Sequence, residues 1–323
     1  MKVTLPFLFA FFGSLSASLL LTRLLIPILR AKKLGQSILT IGPVWHKSKE
    51  GTPTMGGAVF LLVLPLFSLA TALFLGEKEL FPLICVISFA LLCGAVGLID
   101  DITKLKNKKN QGLFPWQKLV LQLLFSIAFL YFFHTYAARL VPLSLPFTNL
   151  QIDAALFAFF ILLFMTVGSV NCTNLTDGVD GLAGAVSFII GIHFFLEGAL
   201  NENTSLAVLG LSLSGTVLGF LFFNLHPAKI FMGDTGSLFL GALITGGAFL
   251  SERPLSLMLF GIVFILEGIS VVLQVLVYKR TRKRLFLMAP LHHHLEKRGW
   301  SENKIVLAAV FASLIGAILS HFS

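Results

Sequence analysis

Two adjacent aspartates, Asp100 and Asp101, close the third long apolar run of the chain. If that run is a helix, the two carboxylates meet the negative end of its dipole and also repel each other. A compensating cation is therefore expected, and the candidates are Mg²⁺, which prefers oxygen ligands, and Lys118 at the start of the next apolar run. The alternative is an ordinary water-exposed start of a loop that is rich in lysine.

Two further aspartates, Asp177 and Asp180, lie in the polar segment 171–182 between two apolar runs. Their spacing of three residues places them on one face if the segment is helical. Helix capping and turn formation would explain one acid, because Asn, Thr and Asp cap helices and Gly forms turns. Capping hardly explains two acids, two glycines and two asparagines, Asn174 among them, so a functional role is predicted.

Asp234 lies between Gly233 and Gly236, in a polar stretch that begins at Asn224. The two glycines allow a ligand to approach the backbone closely, and the helix expected after them presents its N-terminus, which suits a phosphate. Asp234 suits a magnesium ion bound to that phosphate. The alternative is that Asp234 serves only as the N-cap of the helix.

Three consecutive histidines, His292, His293 and His294, occupy the last polar loop. Neighbouring residues on a helix point about 100° apart, which argues against a zinc site made of all three. Imidazole can donate hydrogen bonds to phosphate, so a phosphate or pyrophosphate partner is predicted. The alternative is a set of interfacial histidines at the level of the lipid headgroups.

Lys49 and Glu267 each leave two interpretations open. Lys49 precedes a Gly- and Thr-rich segment that contains Thr54, and it either binds a nucleotide phosphate or belongs to the positive charge of a cytoplasmic loop. Glu267 lies deep in an apolar run. An acid there is a functional candidate, or it hydrogen-bonds a neighbouring helix, with Gln274 as the candidate partner.

The elements that must position these residues are membrane helices. Of the 323 residues, 56% are hydrophobic and 12% are charged, whereas soluble domains carry about 25% charged residues. A soluble enzyme, a disordered chain and a disulfide scaffold are therefore excluded. The sequence predicts an all-α polytopic membrane protein with a single domain over 1–323 and about ten spans. The predicted spans are roughly 4–29, 55–75, 80–99, 117–137, 154–171, 182–199, 205–223, 236–251, 256–278 and 304–321.

The basic residues are distributed unevenly between the loops. The loops that follow the odd-numbered spans carry 19 of the 24 Lys+Arg residues, and positively charged loops face the cytoplasm. Both termini are therefore expected outside, and the candidate polar loops on the cytoplasmic face. Anionic lipid headgroups explain most of the net charge of +9, so no nucleic-acid partner is predicted.

Carboxylates, cations and Gly-rich loops on one membrane face together suggest Mg²⁺-dependent phosphoryl chemistry. Such a reaction depends on charge neutralisation and on positioning of the reactants. The expected donor is cytosolic and the expected acceptor is embedded in the membrane. A transporter would instead place its charges near the bilayer midplane, on the broken helices of two related halves.

The sequence resembles the polyprenyl-phosphate N-acetylhexosamine-1-phosphate transferase superfamily, and in particular its pentapeptide-specific branch. The resemblance covers essentially the whole chain, and the triple-histidine segment is its most discriminating part. Val179 stands where the family often has Leu, which is a conservative difference. The segments that carry the resemblance are 51–57, 100–101, 174–183, 231–237 and 290–294.

The resemblance implies a reaction. Phospho-MurNAc-pentapeptide would pass from UDP-MurNAc-pentapeptide to undecaprenyl phosphate, giving lipid I and UMP, with Mg²⁺ as the cofactor. A homodimer in the bacterial inner (cytoplasmic) membrane is also implied. The rival functions are a sibling transferase for another hexosamine phosphate, a transporter of lipid-linked precursors and a non-catalytic scaffold.

The resemblance also implies catalytic roles for particular residues. Asp234 is the leading metal ligand, and Asp100 and Asp101 line the catalytic centre. Direct attack by the lipid phosphate is the preferred mechanism, with one of these two acids as the base. A covalent aspartyl-phosphate on one of them is the alternative. Lys118 is expected to neutralise the incoming phosphate.

The remaining roles concern substrate binding. His292, which the resemblance also implies to be catalytic, is expected to lead a cluster with His293 and His294 that contacts the phosphate region. Phe231 is expected to stack on the uracil base. The other positions at which the family binds the nucleoside donor are Lys49, Thr54, Asn174, Asp177, Asp180 and Asn224.

Overall fold

The computed structural model describes residues 5–31, 49, 51–77, 80–106, 112–136, 143–148, 151–152 and 155–323. These residues form helices almost throughout. The helices are α1 (Leu5–Ala31), α2 (Ala58–Phe74), α3 (Leu80–Lys106), α4 (Pro115–Tyr136), α5 (Ala155–Thr176), α6 (Leu182–Leu200), α7 (Thr204–Asn224), α8 (Gly233–Leu250), α9 (Leu257–Phe260), α10 (Ile262–Thr281), α11 (Leu291–Lys297) and α12 (Glu302–His321).

A helix lies at each of the ten positions where the sequence predicts a span. Eight helices in the described part of the chain are long and apolar enough to cross a membrane, namely α1, α3, α4, α5, α6, α7, α10 and α12. The other two positions are occupied by α2 and α8, with 17 and 18 residues. The predicted all-α polytopic fold is therefore confirmed.

The ends of several helices differ from the predicted ones. α3 continues to Lys106 rather than ending at 99, α5 continues to Thr176, and α8 already begins at Gly233. The ninth predicted span is divided at Gly261 into α9 and α10. Windows of apolar residues stop at the first polar groups, whereas these helices continue because their polar side chains find partners on neighbouring elements.

The centre of the bundle is formed by α7 and α8. α7 is 83% buried over its most apolar window, and nearly every residue of α8 after its first turn is buried. α3 packs along α8, and α6 packs along α7. A Cβ at Gly97 of α3 would lie 2.2 Å from the carbonyl oxygen of Asp234. This close approach places the aspartate pair of α3 beside the first turn of α8.

The strands in the described part of the chain are β1 (Leu143–Ser144) and β2 (Gln151–Ile152), which form a short antiparallel pair. They belong to the long loop between α4 and α5, which the charge pattern predicts to be external. Most of the first loop that is predicted to be cytoplasmic, residues 32–48 and 50, lies outside the described residues. The same is true of 107–111 in the second such loop.

Candidate active site

Three carboxylates form the centre of the candidate site. Asp100 and Asp101 lie in the last two turns of α3, and only 0% and 3% of these residues is exposed. Asp234 lies in the first turn of α8. One oxygen of each carboxylate lies within 4.8 Å of the others. The packing of α3 on α8 therefore brings together three acids that come from two distant parts of the sequence.

Two lysines compensate the charge of this central cluster. Lys104 Nζ lies 2.6 Å from Asp100 Oδ2 and 3.1 Å from Asp234 Oδ2. Lys118 Nζ, from α4, lies 2.9 Å from Asp234 Oδ2 and 3.6 Å from Asp100 Oδ1. Lys118 was expected beside the aspartate pair, but Lys104 was missed. Its position four residues after Asp100 on one helix is the signal that identifies it.

Asp101 caps the N-terminus of α8 from a different helix. Its Oδ2 accepts hydrogen bonds from the backbone N–H of Thr235 at 3.0 Å and from Thr235 Oγ1 at 2.7 Å. Its Oδ1 accepts from the backbone N–H of Asp234 at 3.3 Å. These amides have no partner within the helix, and the carboxylate meets the positive end of the dipole. The interpretation of Asp234 as the N-cap is therefore wrong.

The carboxylate of Asp234 instead faces the other helices of the site. Besides the two lysines, it accepts a hydrogen bond from Asn174 Nδ2, which lies 3.1 Å from Asp234 Oδ1. The same amide donates to Ser237 Oγ at 2.8 Å. Asn174 lies in the last turn of α5. A predicted site residue on α5 thus orients the predicted metal ligand on α8.

The Gly- and Thr-rich segment 53–57 runs beside the start of α8. Two of its backbone N–H groups donate to the carbonyl oxygens of Phe231 and Met232, at 2.8 and 2.9 Å. Gly233 has a φ of +71°, and a Cβ there would lie 2.5 Å from the carboxylate that caps α8 and 2.9 Å from Thr54 Oγ1. Glycine is therefore required at 233, and Thr54 lies at the edge of the central cluster.

Asp177, in the turn between α5 and α6, is surrounded by other charges. Burial raises the pKa of its carboxyl most, and the negative charges of Asp234, Asp101 and Asp180 raise it further. Lys49 opposes them. The net result is a pKa well above the ordinary value for an aspartate. Asp177 thus lies between the central cluster and a second group of charged residues.

This second group is the Lys49 cluster, made of Lys49, Asp180, His226 and Glu302. Lys49 Nζ lies 2.6 Å from Asp180 Oδ1 and 2.8 Å from Glu302 Oε2. Asp180 Oδ2 lies 3.1 Å from His226 Nδ1, and the backbone N–H of Asp180 donates to Glu302 at 2.9 Å. Sequence reasoning missed His226 and Glu302, because nothing local indicates a partner 253 residues from Lys49.

The two acids and His226 of this cluster also lie close enough together to share a metal ion. Lys49 already supplies a positive charge between the acids, so an ion-pair network accounts for their proximity. The central cluster fits a hard divalent cation better. It offers three carboxylates to two lysines, and carboxylate oxygens are the ligands that such cations prefer.

Asn224 stabilises the loop that leads to α8. It is 1% exposed, and its Nδ2 donates to the carbonyl oxygen of Ile230 at 2.9 Å. Its Oδ1 accepts no hydrogen bond from the residues that the structure describes. Phe231, the predicted base-stacking residue, follows Ile230 in the sequence and is half-buried. Both predicted donor-binding residues thus shape one loop next to the central cluster.

The side chains of the three consecutive histidines of α11 have different partners, as their spacing predicts. His292 is completely buried, and its Nδ1 lies 3.1 Å from Glu267 Oε2. His293 Nδ1 lies 2.6 Å from Glu296 Oε2. His294 Nδ1 accepts a backbone N–H of the preceding loop at 3.1 Å. His292 approaches the turn that carries Asp177, and the phosphate roles of all three histidines stay predictions.

Comparison with known proteins defines the class of this membrane protein first. Residues 83–252 match the model of the family described as glycosyl transferase family 4. The matched region runs from α3 to the end of α8. It contains all three carboxylates of the central cluster.

Three curated relatives carry the name phospho-N-acetylmuramoyl-pentapeptide-transferase. The protein from Carboxydothermus hydrogenoformans is 41% identical over 307 residues, which cover 93% of both chains. The one from Bacillus subtilis is 41% identical over 308 residues, or 94% of both chains. The one from Listeria monocytogenes is 42% identical over 300 residues, or 92% of this chain and 91% of the relative. This chain belongs to the phospho-N-acetylmuramoyl-pentapeptide-transferase family and is a phosphoglycosyl transferase of a bacterial membrane.

Proposed function

We propose that this protein transfers phospho-MurNAc-pentapeptide from UDP-MurNAc-pentapeptide to undecaprenyl phosphate, releasing UMP and forming lipid I. The relatives' name states the transferred group. The observation that carries the proposal is the central cluster, in which three carboxylates and two lysines meet at one end of an apolar bundle. Such a cluster suits two phosphorylated substrates, one soluble and one held in the membrane.

Mg²⁺ is the proposed cofactor, held by Asp234 with Asp100 beside it. When bound, the ion neutralises the charge that develops on the pyrophosphate as it is cleaved. Asp101 is less available to a metal, because both of its oxygens already accept hydrogen bonds from the start of α8. Its proposed role is to fix α8, and with it Asp234, against α3.

The lysines of the central cluster are proposed to receive the acceptor phosphate. Lys104 and Lys118 project from α3 and α4 towards the same oxygen of Asp234. A phosphate monoester placed between them would be neutralised and oriented for in-line attack. One of its oxygens then bonds to the β-phosphorus of the donor, and the bond from that phosphorus to UMP breaks. UMP leaves with the electron pair.

The nucleoside end of the donor is proposed to lie towards the Lys49 cluster. Lys49 and Asp180 offer a cation and a hydrogen-bond acceptor there, and Asn224 has a buried oxygen with spare capacity. Phe231 offers a ring on which uracil would stack. Thr54, Asn174 and Asp177 are proposed to line the path of the pyrophosphate, since Asn174 donates to Asp234 and Thr54 lies at the edge of the central cluster. His293 and His294 are proposed to contact the substrate from α11.

Direct attack by the lipid phosphate is preferred to a covalent aspartyl-phosphate. Asp101 would have to release the N-terminus of α8 to act as a nucleophile. Asp100 Oδ1 accepts a backbone N–H from Leu113 at 2.8 Å, and its Oδ2 lies against Lys104. A base role for Asp100 leaves the start of α8 in place and requires only that Lys104 move away from Oδ2. Phosphorylated protein trapped with donor alone would contradict the direct route.

The whole chain, 1–323, is proposed to act as one integral membrane domain and to form a homodimer. Its proposed location is the bacterial inner membrane, with the central cluster on the cytoplasmic face. The excess of Lys and Arg in the loops near that cluster supports this orientation.

The test is a UMP-release assay on the purified protein in detergent. UDP-MurNAc-pentapeptide and undecaprenyl phosphate are supplied with Mg²⁺ or with EDTA. We expect release that needs both the lipid and Mg²⁺, and that falls at least about 100-fold in Asp234→Asn. Glu202→Gln, at an exposed position at the opposite end of α6, is the control and should keep wild-type activity.

Other results would point to the rival functions. Release from UDP-N-acetylglucosamine alone would identify a sibling transferase. Movement of lipid-linked precursor without UMP would identify a transporter. Normal cell-wall synthesis in cells that carry only Asp234→Asn would identify a scaffold.

A further inference from the structure

Glu267 is a buried acid on α10 with a specific partner. It is 4% exposed in a helix long and apolar enough to cross a membrane, where a buried acid is costly unless it is paired. The expected hydrogen bond to a neighbouring element is present, but Gln274 is not the partner. Gln274 accepts the backbone N–H of Phe286, whereas Glu267 binds His292.

The contact between Glu267 and His292 fixes both the backbone and the ring of the histidine. The backbone N–H of His292 donates to both carboxylate oxygens of Glu267, at 3.1 and 3.2 Å. Its Nδ1 lies 3.1 Å from Oε2 of the same carboxylate. α11 is short, so this acid from another helix caps its first turn. The ring of His292 therefore has a defined orientation.

The carboxylate also determines which ring nitrogen carries the hydrogen. A carboxylate accepts hydrogen bonds, so the nitrogen that faces it must be the donor, Nδ1–H. In the neutral imidazole, Nε2 is then an acceptor. The same arrangement orients the histidine of an Asp–His pair in acyl-transfer enzymes, where loss of the acid leaves the wrong tautomer.

The acceptor nitrogen of His292 lies unused beside the turn of the site. Nε2 is buried and has no hydrogen-bond partner among the residues that the structure describes. It points at Gly178, where a Cβ would lie only 2.3 Å away. Buried polar atoms without a partner are rare in proteins and call for an explanation. Gly178 directly follows Asp177, so Nε2 lies against the turn that carries a predicted donor-binding residue.

We infer that Glu267 is a positioning residue of the transferase. It holds His292 as the Nδ1–H tautomer and so presents Nε2 as an acceptor for a hydroxyl or amide hydrogen of the bound donor. The inference rests on the proposed function, because the ligand of Nε2 is the substrate of that reaction. Glu267 itself touches no substrate and acts only through His292.

The kinetic test compares Glu267→Gln with His292→Asn and with the double variant. The side-chain amide introduced by Glu267→Gln would offer a hydrogen to Nδ1 and favour the other tautomer. We expect kcat/KM for the nucleotide donor to fall roughly 10- to 100-fold in Glu267→Gln, with KM for the lipid acceptor nearly unchanged. The double variant should be no worse than His292→Asn, because residues that act as one unit are not additive.

A second readout does not need turnover. In protein labelled with ¹⁵N-histidine, the signals of His292 are those lost in His292→Asn. We expect a protonated Nδ1 and an unprotonated Nε2 in the wild type, and the reverse in Glu267→Gln. Glu197→Gln is the matched control. Glu197 is also 4% exposed and also lies beside a histidine, His321 at 3.3 Å, but at the other end of α6.

Two results would overturn the inference. One is a hydrogen on Nε2 of His292 in the wild type. The other is a double variant whose loss equals the product of the two single losses, which would give Glu267 a role independent of His292. Absence of transfer in the wild type would instead reject the proposed function, while the ¹⁵N signals would still decide the tautomer.

Discussion

The carboxyl of Asp177 has a pKa well above the ordinary value for an aspartate. Burial and three other carboxylates raise its pKa, and Lys49 lowers it by a smaller amount. A carboxyl whose pKa is higher in the folded than in the unfolded protein stabilises the fold at low pH. That contribution is lost as the pH rises through the folded-state pKa, so ionisation of Asp177 destabilises the metal-free protein.

Asp177→Asn removes this ionisation. In EDTA at pH 8 we expect the variant to melt about 2–4 °C above the wild type, and the difference should shrink as the pH falls towards about 4, the ordinary pKa of an aspartate. Thermal unfolding in detergent across this pH range is the measurement. Glu202→Gln should follow the wild-type curve. A constant offset at every pH would show that Asp177 acts through packing rather than through charge.

Individual residues of the site differ in how far the sequence could predict them. Lys104 was predictable, since it follows Asp100 by four residues and Asp101 by three on one helix. Glu302 was not, because its partners Lys49 and Asp180 come from distant parts of the chain. Contacts between residues far apart in the sequence depend on how the helices pack. No local sequence pattern indicates that packing.

The helices were found from apolar runs, whereas their ends near the site were not. α3 extends past Asp100 and Asp101, so this pair does not end the helix but faces its neighbours. Hydropathy treats such residues as the start of a loop, because it assumes that polar groups meet water. At this site they meet lysines and the amides of α8, and the helix continues.

The turn between α5 and α6 positions the site through close contacts. Gly178 has no room for a side chain, because His292 fills the space beside it. Gly168, earlier in the chain on α5, has open space where a Cβ would lie, with none of the neighbouring atoms that the structure describes within 4 Å. Alanine substitutions at these two glycines therefore distinguish the effect of adding a methyl group from the effect of a clash with His292.

Gly178→Ala should displace His292 and lower kcat at least about tenfold, with a loss of stability of about 1–3 kcal/mol from overpacking. Gly168→Ala should leave kcat unchanged and should not lower stability, because alanine is the better helix former. The UMP-release assay and unfolding in detergent measure the two effects. Full activity in Gly178→Ala would mean that the turn and α11 move apart at no cost.

On the scale of the whole molecule, the ion pairs of the candidate site and those beside the C-terminal end of α6 lie at opposite ends of the bundle. The central cluster, the Lys49 cluster and α11 lie at one end. At the other end, Glu197 contacts both Arg253 and His321. The charge distribution among the loops predicts that the first end faces the cytoplasm.

Cysteine labelling tests this orientation. Asn201→Cys and Arg298→Cys mark exposed positions at opposite ends, in a chain whose three native cysteines are replaced by alanine. In spheroplasts, a membrane-impermeant maleimide should label the cysteine at 201 at once and the one at 298 only after permeabilisation. The reverse pattern would place the carboxylate cluster outside the cell.

The Lys49 cluster joins a residue that precedes α2 to the first residue of α12. Membrane helices enter the bilayer in the order in which they are synthesised. Lys49 and Asp180 are therefore present before Glu302 has been made. Lys49 and Asp180 acquire their shared carboxylate partner only when Glu302 has left the ribosome. A nascent chain that lacks α12 thus has its central acids and lysines but lacks the carboxylate that Lys49 and Asp180 share, so the proposed donor-binding cluster is complete only after α12 has been made.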